Sequence, residues 1–462
     1  MKPFCLALLA ALPAGSLQAQ STASLDARTD SIAHAVLSET GVPSASVAVV
    51  THGKLAYAQA YGLAQLQPPT RATPGMRYGI GSISKQFTAA AVLLLQQEGK
   101  LSLDDKVEKW VPGLTRGNDV TLREVLSHTS GYQDFWPQDY VPPEMTRPVS
   151  AETILTKWAR RPLDFEPGTR WQYSNTNFLI AALAVEKASG MPFFQFVKTR
   201  ILDPLGIASA VDFDRLGPSS IEPVGYMRYG LGPLRPAVPT GAGWMYGAGE
   251  LAMTPSDLAK WDIAMIDRSL LSPASYSTLE TTVLLNSGVS SGYGLGVDVG
   301  TLAGHRMIEH SGEVAGFTAE NMVFPDDSAA VIVLTNQDAA PAAGSIAEQV
   351  ASSLFTTEDA ETTSRTAQAR KIFEALQQGT IDRSQFTPDA NAYFTPQALQ
   401  DFKSSLAPLG RVVSFTQMRQ SLRGGMVARS FQVRLSNGKV LRAWTFQTPD
   451  GKLEQYQIAP IG

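Results

Sequence analysis

The sequence is almost free of cysteine, because the single one, Cys5, lies near the start of a 462-residue chain. Disulfides and thiol nucleophiles both need cysteine in the folded domain, so the sequence excludes them beyond that position. An excess of basic residues is also missing, since the formal net charge is −4. This balance excludes a bulk electrostatic attraction to nucleic acid or to an anionic membrane.

Long apolar runs are missing as well, because no segment approaches the roughly 20 apolar residues of a membrane-spanning helix. The N terminus does carry a short leader pattern, in which Lys2 precedes an apolar run from Phe4 to Leu12 and Leu17-Gln18-Ala19 offers a cleavage site. This order is typical of a secretory signal peptide. We therefore predict that residues 1–19 are removed and that the mature protein is periplasmic or secreted, with no membrane span.

A serine and a lysine three residues apart stand directly before a helix-length apolar run, Ala89–Leu95, which ends near Gly99. Ser82 and Lys85 are therefore predicted to share one face of the first helical turn. A serine hydroxyl is a weak nucleophile until a neighbouring base takes its proton, and an amine one turn away is within reach. Because the same spacing also occurs by chance, it becomes informative only together with other motifs.

The rest of the first 355 residues is predicted to form two strands, a mainly helical middle and a second group of strands closed by a helix. The predicted helices cover 25–39, 154–207 with interruptions, 251–267 and 343–355, and the predicted strands cover 44–51, 54–61, 294–299, 306–308, 317–324 and 329–335. This order predicts an α+β fold, an α/β sandwich in which an antiparallel sheet is flanked by helices and carries a helical insertion.

Residues 357–368 are rich in Thr, Ser and acidic side chains, and we interpret them as a linker. After them the pattern predicts a helix over 369–378 and strands over 426–435, 440–446 and 453–458, with Asn437-Gly438 as a hairpin turn. The predicted division is thus a signal peptide, a main domain over 20–356, the linker, and a small α+β domain over 369–462.

Three histidines are predicted to have structural roles. His34 and His52 have no carboxylate or second histidine at metal-binding spacing, so the sequence predicts no metal and no cofactor. His128 is flanked by small hydroxyl residues, which mostly bond to local backbone. We therefore expect His128 to brace a loop and not to serve as a catalytic base.

Two more motifs follow in order, Tyr173-Ser174-Asn175 and His310-Ser311-Gly312. Together with Ser82–Lys85 they resemble, in order and spacing, the motifs of the serine β-lactamase and penicillin-binding-protein superfamily. The class C β-lactamase branch, with its D-alanyl-D-alanine carboxypeptidases, D-aminopeptidases and esterases, is the most similar. The resemblance runs from about Leu25 to Phe355 and implies a β-lactamase/transpeptidase-like fold.

The resemblance implies a role for each matching residue. Ser82 would be the nucleophile that forms an acyl-enzyme, and Tyr173 would be the general base, with Lys85 lowering its phenol pKa. The sequence leaves open whether Lys85 or Tyr173 takes the serine proton. Asn175 would hold a substrate peptide group, and the N–H groups of Ser82 and Glu313, the residue after Gly312, would form the oxyanion hole.

The third motif departs from the lactamases of this branch, which carry lysine where this chain has His310. A lysine is a permanent cation that can pair with a substrate carboxylate, whereas a histidine is only partly charged near pH 7. We therefore expect an exported serine hydrolase that forms an acyl-enzyme on amide or ester bonds of D-amino-acid-containing peptides. Its partner would be a small molecule or a peptide, with peptidoglycan fragments and β-lactams among the candidates.

Two alternatives stay open. One is a true class C-like β-lactamase, and the other is a penicillin-binding sensor, or a binder of cell-wall fragments, that lacks fast turnover. The C-terminal domain is similar to small nuclear-transport-factor-like α+β domains. Covering part of the cleft, binding a partner and simple packing are all compatible with its sequence.

Overall fold

A computed structural model of the chain describes residues 15–217, 223–355 and 362–460. The chain divides into two compact units, with the division after Phe355. Most of the predicted signal peptide, residues 1–14, lies outside the described residues, and residues 15–19 belong to the first helix.

A seven-stranded antiparallel sheet forms the centre of the first unit. The strands of this unit are β1 (Ser44–Thr51), β2 (Lys54–Gln65), β3 (Thr70–Arg71), β4 (Tyr78–Gly79), β5 (Val211–Asp212), β6 (Tyr226–Met227), β7 (Arg235–Pro236), β8 (Leu251–Met253), β9 (Asp298–Leu302), β10 (His305–Val314), β11 (Phe317–Phe324) and β12 (Ala329–Thr335). The central sheet has the order β3-β2-β1-β12-β11-β10-β9. It therefore combines strands from both ends of the unit, which confirms the predicted fold class.

Both faces of the central sheet are covered, and the sequence of β1 shows why. Its side chains alternate, so Val47 and Val49 join the core on one face while Ala48 and Val50 join the core on the other. A strand buried on both faces reads as a continuous apolar run, as Ser44–Thr51 does.

Helices form a layer on each side of this sheet. The helices of the unit are α1 (Gly15–Thr40), α2 (Ser84–Gln97), α3 (Leu122–Leu126), α4 (Ala151–Ile154), α5 (Asn175–Ser189), α6 (Phe193–Val197), α7 (Phe213–Leu216), α8 (Pro255–Asp267), α9 (Pro273–Leu279) and α10 (Ala342–Phe355). Residues of α1 and α10 share one core with the sheet, and residues of α2, α5 and α8 share the other. The second layer is the predicted helical insertion.

Helix α2 is buried on every side from Ser84 to Leu95. Because a helix that is apolar all round must lie inside the protein, the Ala- and Leu-rich run after Lys85 places this helix in the core. The same burial carries the Lys85 side chain inside, with none of its surface exposed.

The bounds of two predicted elements, the helix over 251–267 and the strand over 294–299, differ most from the structure. Helix α8 begins at Pro255 and is capped by the Thr254 side chain, which accepts from the Asp257 N–H, so the predicted helix start at Leu251 is wrong. Residues 251–253 instead form β8, which pairs with β4 and β5. The strand predicted over 294–299 begins only at Asp298.

The second unit has an α+β architecture. Its elements are α11 (Thr362–Gln377), α12 (Pro388–Tyr393), α13 (Pro396–Leu406), β13 (Val412–Arg423), β14 (Met426–Leu435), β15 (Val440–Gln447) and β16 (Leu453–Pro460). The four strands form one antiparallel sheet in chain order. Because α11 starts at Thr362, the last seven residues of the predicted linker are helical, and 357–361 lie outside the described residues. In the described part of the chain, no helix has the length and apolar character needed to cross a membrane.

Candidate active site

The turn before α2 presents Ser82 next to the end of β10. Residues Gly81–Ile83 form a 3₁₀ turn that runs directly into the helix. Gly81 has a φ of +51°, and a Cβ atom there would lie 2.6 Å from the Glu313 nitrogen. A Cβ atom at Gly312 would lie 2.0 Å from the Ile80 carbonyl oxygen and 3.2 Å from the Ser82 nitrogen. Glycine at both positions therefore lets the strand and the turn approach each other closely.

The Lys85 amine lies against the Ser82 hydroxyl. Its Nζ is 2.9 Å from Ser82 Oγ, 2.8 Å from Asn175 Oδ1 and 2.8 Å from the Ala248 carbonyl oxygen. The amide and carbonyl oxygens can only accept, so they take two N–H groups of the amine. In the neutral amine the lone pair then faces Ser82 Oγ, where it can accept the hydroxyl proton.

Burial allows a substantial fraction of Lys85 to be in the neutral amine form near pH 7. Desolvation lowers the pKa of Lys85 to about 7, against an opposing effect of the Asp134 carboxylate. A general base works best when its pKa lies near the working pH, because it is then deprotonated yet still basic. Lys85 meets that condition.

Asp134 is a site residue that the sequence analysis missed. Its Oδ1 accepts from the Asn175 backbone N–H at 2.9 Å and from Asn175 Nδ2 at 3.2 Å. These bonds fix the Asn175 amide with its oxygen toward Lys85. In the sequence Asp134 stands in an ordinary loop between Gln133 and Phe135, and no motif marks it.

The expected lowering of the Tyr173 pKa is wrong. Its phenol is hydrogen-bonded to Ser82, and the Lys85 Nζ lies 4.9 Å from the centre of its ring. Burial nevertheless raises the pKa of Tyr173 well above its usual range, because a phenolate loses more on desolvation than this hydrogen bond returns. Tyr173 is therefore a neutral phenol near pH 7, suited to donate or relay a proton.

His128 contacts the loop segment that carries Tyr173 and Ser174, which agrees with the expectation that His128 braces a loop. The Ser174 backbone N–H donates to His128 Nδ1 at 3.1 Å, and the His128 ring centre lies 4.3 Å from that of Tyr173. Because the side chain is buried and Lys85 is near, the pKa of His128 lies well below its usual value. The imidazole is thus a neutral packing element behind the phenol.

His310 is also neutral, which corrects the expectation of a partial positive charge. Burial, reinforced by Lys85, lowers the pKa of His310 to about 3. Its Nδ1 lies 2.5 Å from the Ser311 carbonyl oxygen, which can only accept, so Nδ1 carries the proton. Nε2 then accepts from the Tyr293 hydroxyl at 2.8 Å. Both ring nitrogens are therefore engaged within the protein, and neither offers a charge to a substrate.

One cavity of about 640 Å³ collects most of these residues. The cavity is lined by five residues of the predicted site, namely Ser82, Tyr173, Asn175, His310 and Glu313, whereas Lys85 is buried beside Ser82.

The cavity also has an aromatic wall, formed by Trp136, Tyr140 and Trp244, that the sequence analysis did not predict. A volume of this size fits a small ligand, and the Ser82 side chain lies at its surface. The arrangement can perform acyl transfer.

The chain belongs to the beta-lactamase family, whose model matches residues 25–355. It is 29% identical over 300 residues to penicillin-binding protein 4* of Bacillus subtilis, with 62% of this chain and 66% of that protein covered. It is 28% identical over 302 residues to a D-aminopeptidase of Brucella anthropi, with 64% and 56% covered. The alignments thus span about half to two thirds of the length of these two relatives.

Solved structures give the same picture of the fold. A D-stereospecific amidohydrolase from a Streptomyces species is 29% identical, with a TM-score of 0.61, and the match covers 71% of this chain and 98% of that one. An octameric penicillin-binding protein homologue from Pyrococcus abyssi is 22% identical, with a TM-score of 0.62 and coverage of 94% and 99%. At that identity the second match supports the fold alone.

The close approach at Gly312 generates a first prediction. In Gly312→Ala the added methyl group must push β10 away from the turn by more than 1 Å, since its nearest atom would be only 2.0 Å away. We expect the rate of covalent labelling of Ser82 by a fluorophosphonate to fall about 100-fold, because a displacement of this size costs that much in comparable sites.

Gly300→Ala is the matched control on the neighbouring strand, because its Cβ would meet only the Met307 Cε at 4.0 Å. In this variant the rate of Ser82 labelling should stay within about twofold of the native rate, as expected for a tolerated surface substitution. A Gly312→Ala protein that is folded by circular dichroism and labels as fast as the control would contradict the assignment.

Proposed function

We propose that this chain is an exported serine hydrolase that forms a covalent acyl-enzyme on amide or ester bonds of D-amino-acid-containing peptides or amides. The contact between Lys85 Nζ and Ser82 Oγ, 2.9 Å long and next to a cavity, is the observation that carries the proposal. Export rests on the leader pattern of residues 1–19, most of which lie outside the described residues.

Acylation begins with the Ser82 hydroxyl proton passing to the Lys85 amine. The Oγ atom then attacks the substrate carbonyl carbon, and the negative charge develops on the carbonyl oxygen. The N–H groups of Ser82 and Glu313 are the proposed donors to that oxygen, in keeping with the close packing of β10 on the turn. A single donor of this kind is typically worth about 10²–10³ in rate.

The leaving group then departs with a proton. Tyr173 is hydrogen-bonded to Ser82 and is neutral, so its phenol can donate a proton to the leaving amine or alcohol and recover one from Lys85. The products of this step are the Ser82 ester and the released amine or alcohol. In the deacylation step, water attacks the ester carbonyl and its proton passes to the Lys85 amine. The proton then returns to Ser82 Oγ as the carboxylic acid product leaves, which restores the free enzyme.

The proposed substrate class draws on two relatives. One is named a D-aminopeptidase and the other a D-stereospecific amidohydrolase, at 28% and 29% identity. Both names describe hydrolysis of bonds next to D-configured residues. They support the same class for this chain, as a proposal, because they share its family and its fold.

Efficient β-lactam hydrolysis is the less favoured alternative. The lactamases of the branch carry a lysine at the third motif, where this chain has a neutral His310 with both ring nitrogens engaged. A substrate carboxylate would therefore find no cation at this position. The structure offers no observation that favours the sensor alternative over turnover.

Replacing the nucleophile tests the proposal directly. Ser82→Ala should fold normally, take up no fluorophosphonate, and lose at least about 10³-fold in hydrolysis of D-phenylalanine p-nitroanilide, because no other group forms the acyl-enzyme. Intact-mass measurement reports the adduct, and the exposed Ser277→Ala variant is the control that should still label. Native-like turnover by Ser82→Ala would contradict the mechanism.

The titration of Lys85 predicts the pH dependence. Only the neutral amine can accept the serine proton, so activity is lost as pH falls through the Lys85 pKa of about 7 and is full above it. The rate of Ser82 labelling by an uncharged fluorophosphonate should therefore fall about tenfold for each pH unit below 6 and level off above 8. A flat profile between pH 5 and 9, in enzyme that stays folded, would contradict the assignment of Lys85 as the base.

A further inference from the structure

The charged side chains that line the cavity are all acidic. Five carboxylates line the cavity that holds Ser82, namely Asp134, Asp139, Asp298, Glu313 and Asp338. Within the described ranges no lysine or arginine lines it, and the one histidine there, His310, is neutral near pH 7. These carboxylates do not form a site of their own, because they belong to the cavity that holds Ser82.

Three of the carboxylates are already engaged by backbone donors. Asp134 accepts from Asn175, Glu313 accepts from the Ala339 N–H at 2.9 Å, and Asp338 accepts from the Gly316 N–H at 3.0 Å. These bonds hold the three side chains in place, and each still contributes negative charge to the cavity.

Asp298 differs from these three, because its carboxylate makes no hydrogen bond or ion pair within the part of the chain that the structure describes. It stands at the start of β9, opposite Glu309 of β10, and is half-buried. The titratable groups close to it are two tyrosines and two carboxylates, namely Tyr173, Tyr293, Glu309 and Glu320. None of them supplies a positive charge.

A half-buried carboxylate without a partner carries a desolvation cost that a bound cation removes. Asp298 lies on the same cavity wall as Tyr173, so a cation beside it would be part of a substrate that reaches Ser82. A substrate carboxylate at the same place would instead meet like charge on several sides. Trp136, Tyr140 and Trp244 add apolar surface for the rest of such a molecule.

We propose that the cavity selects substrates whose acyl part carries an ammonium group, and that Asp298 is the residue that determines this selection. The substrate class is then an amide, peptide or ester of an amino acid with a free amino group and an apolar side chain. Peptides and lactams recognised through a carboxylate are disfavoured. This inference rests on the proposed acyl-enzyme function and narrows its substrate.

The test compares three substrates that differ in the charge of the acyl part. They are the p-nitroanilides of D-phenylalanine, of D-phenyllactic acid, in which a hydroxyl replaces the ammonium group, and of N-succinyl-D-phenylalanine, in which the nitrogen is acylated and the added chain ends in a carboxylate. At pH 7 and low salt, kcat/KM should be at least about tenfold higher for the ammonium substrate than for the hydroxyl one, and lowest for the carboxylate. Added salt should reduce the preference.

Variants then assign the preference to one residue. In Asp298→Asn the ratio of kcat/KM for the ammonium substrate to kcat/KM for the hydroxyl substrate should fall to within about threefold of one. Asp298→Glu keeps the negative charge and should retain most of the preference for the ammonium substrate. Asp326→Asn, an equal charge change on an exposed turn outside the cavity, should leave the ratio unchanged. Labelling of each variant by the fluorophosphonate shows that it is folded and competent.

The outcomes separate the two claims. Hydrolysis of all three substrates at equal rates, a preference for the carboxylate, or an unchanged ratio in labelled Asp298→Asn would overturn the inference and leave the hydrolase intact. No hydrolysis together with no labelling of Ser82 would overturn the proposed function, and the inference with it.

Discussion

The hydrogen bonds around the Lys85 amine are the interaction on which the whole site depends. Two oxygen atoms that can only accept, one from Asn175 and one from Ala248, occupy two sides of the amine and leave the third for Ser82. Burial makes the ammonium form expensive, so the neutral form is populated near pH 7. A side chain that is normally a permanent cation is thereby able to accept a proton near pH 7.

The fold maintains this arrangement through elements that are far apart in the chain. Helix α2 is buried on all sides and carries Lys85 into the core, while α5 begins at Asn175 and supplies the amide. Asp134 orients that amide, and Gly81 and Gly312 let β10 close on the turn. Because each contact joins a different part of the chain, the site exists only in the folded first unit.

The helices, strands and motifs that could be predicted from the sequence are those marked by residues close together in the chain. The apolar run after Lys85, the alternating strands and the three motifs were visible because each depends on residues close together in the chain. Asp134 and Tyr293 were missed because their roles arise only from contacts across the fold. The predicted protonation states of Tyr173 and His310 are wrong, because burial determines the pKa values of both side chains and the spacing of residues in the sequence does not reveal that burial.

The titration of the Lys85 amine itself is the most direct measurement. Lysine labelled with ¹³C at Cε and ¹⁵N at Nζ, with the Lys85 signal assigned by its loss in Lys85→Met, gives the midpoint by NMR without any substrate. A base held as described should titrate near pH 7. A midpoint near 10.4, the value of an ordinary lysine, would show that the amine is a cation at neutral pH and would contradict its role as the acceptor of the Ser82 proton.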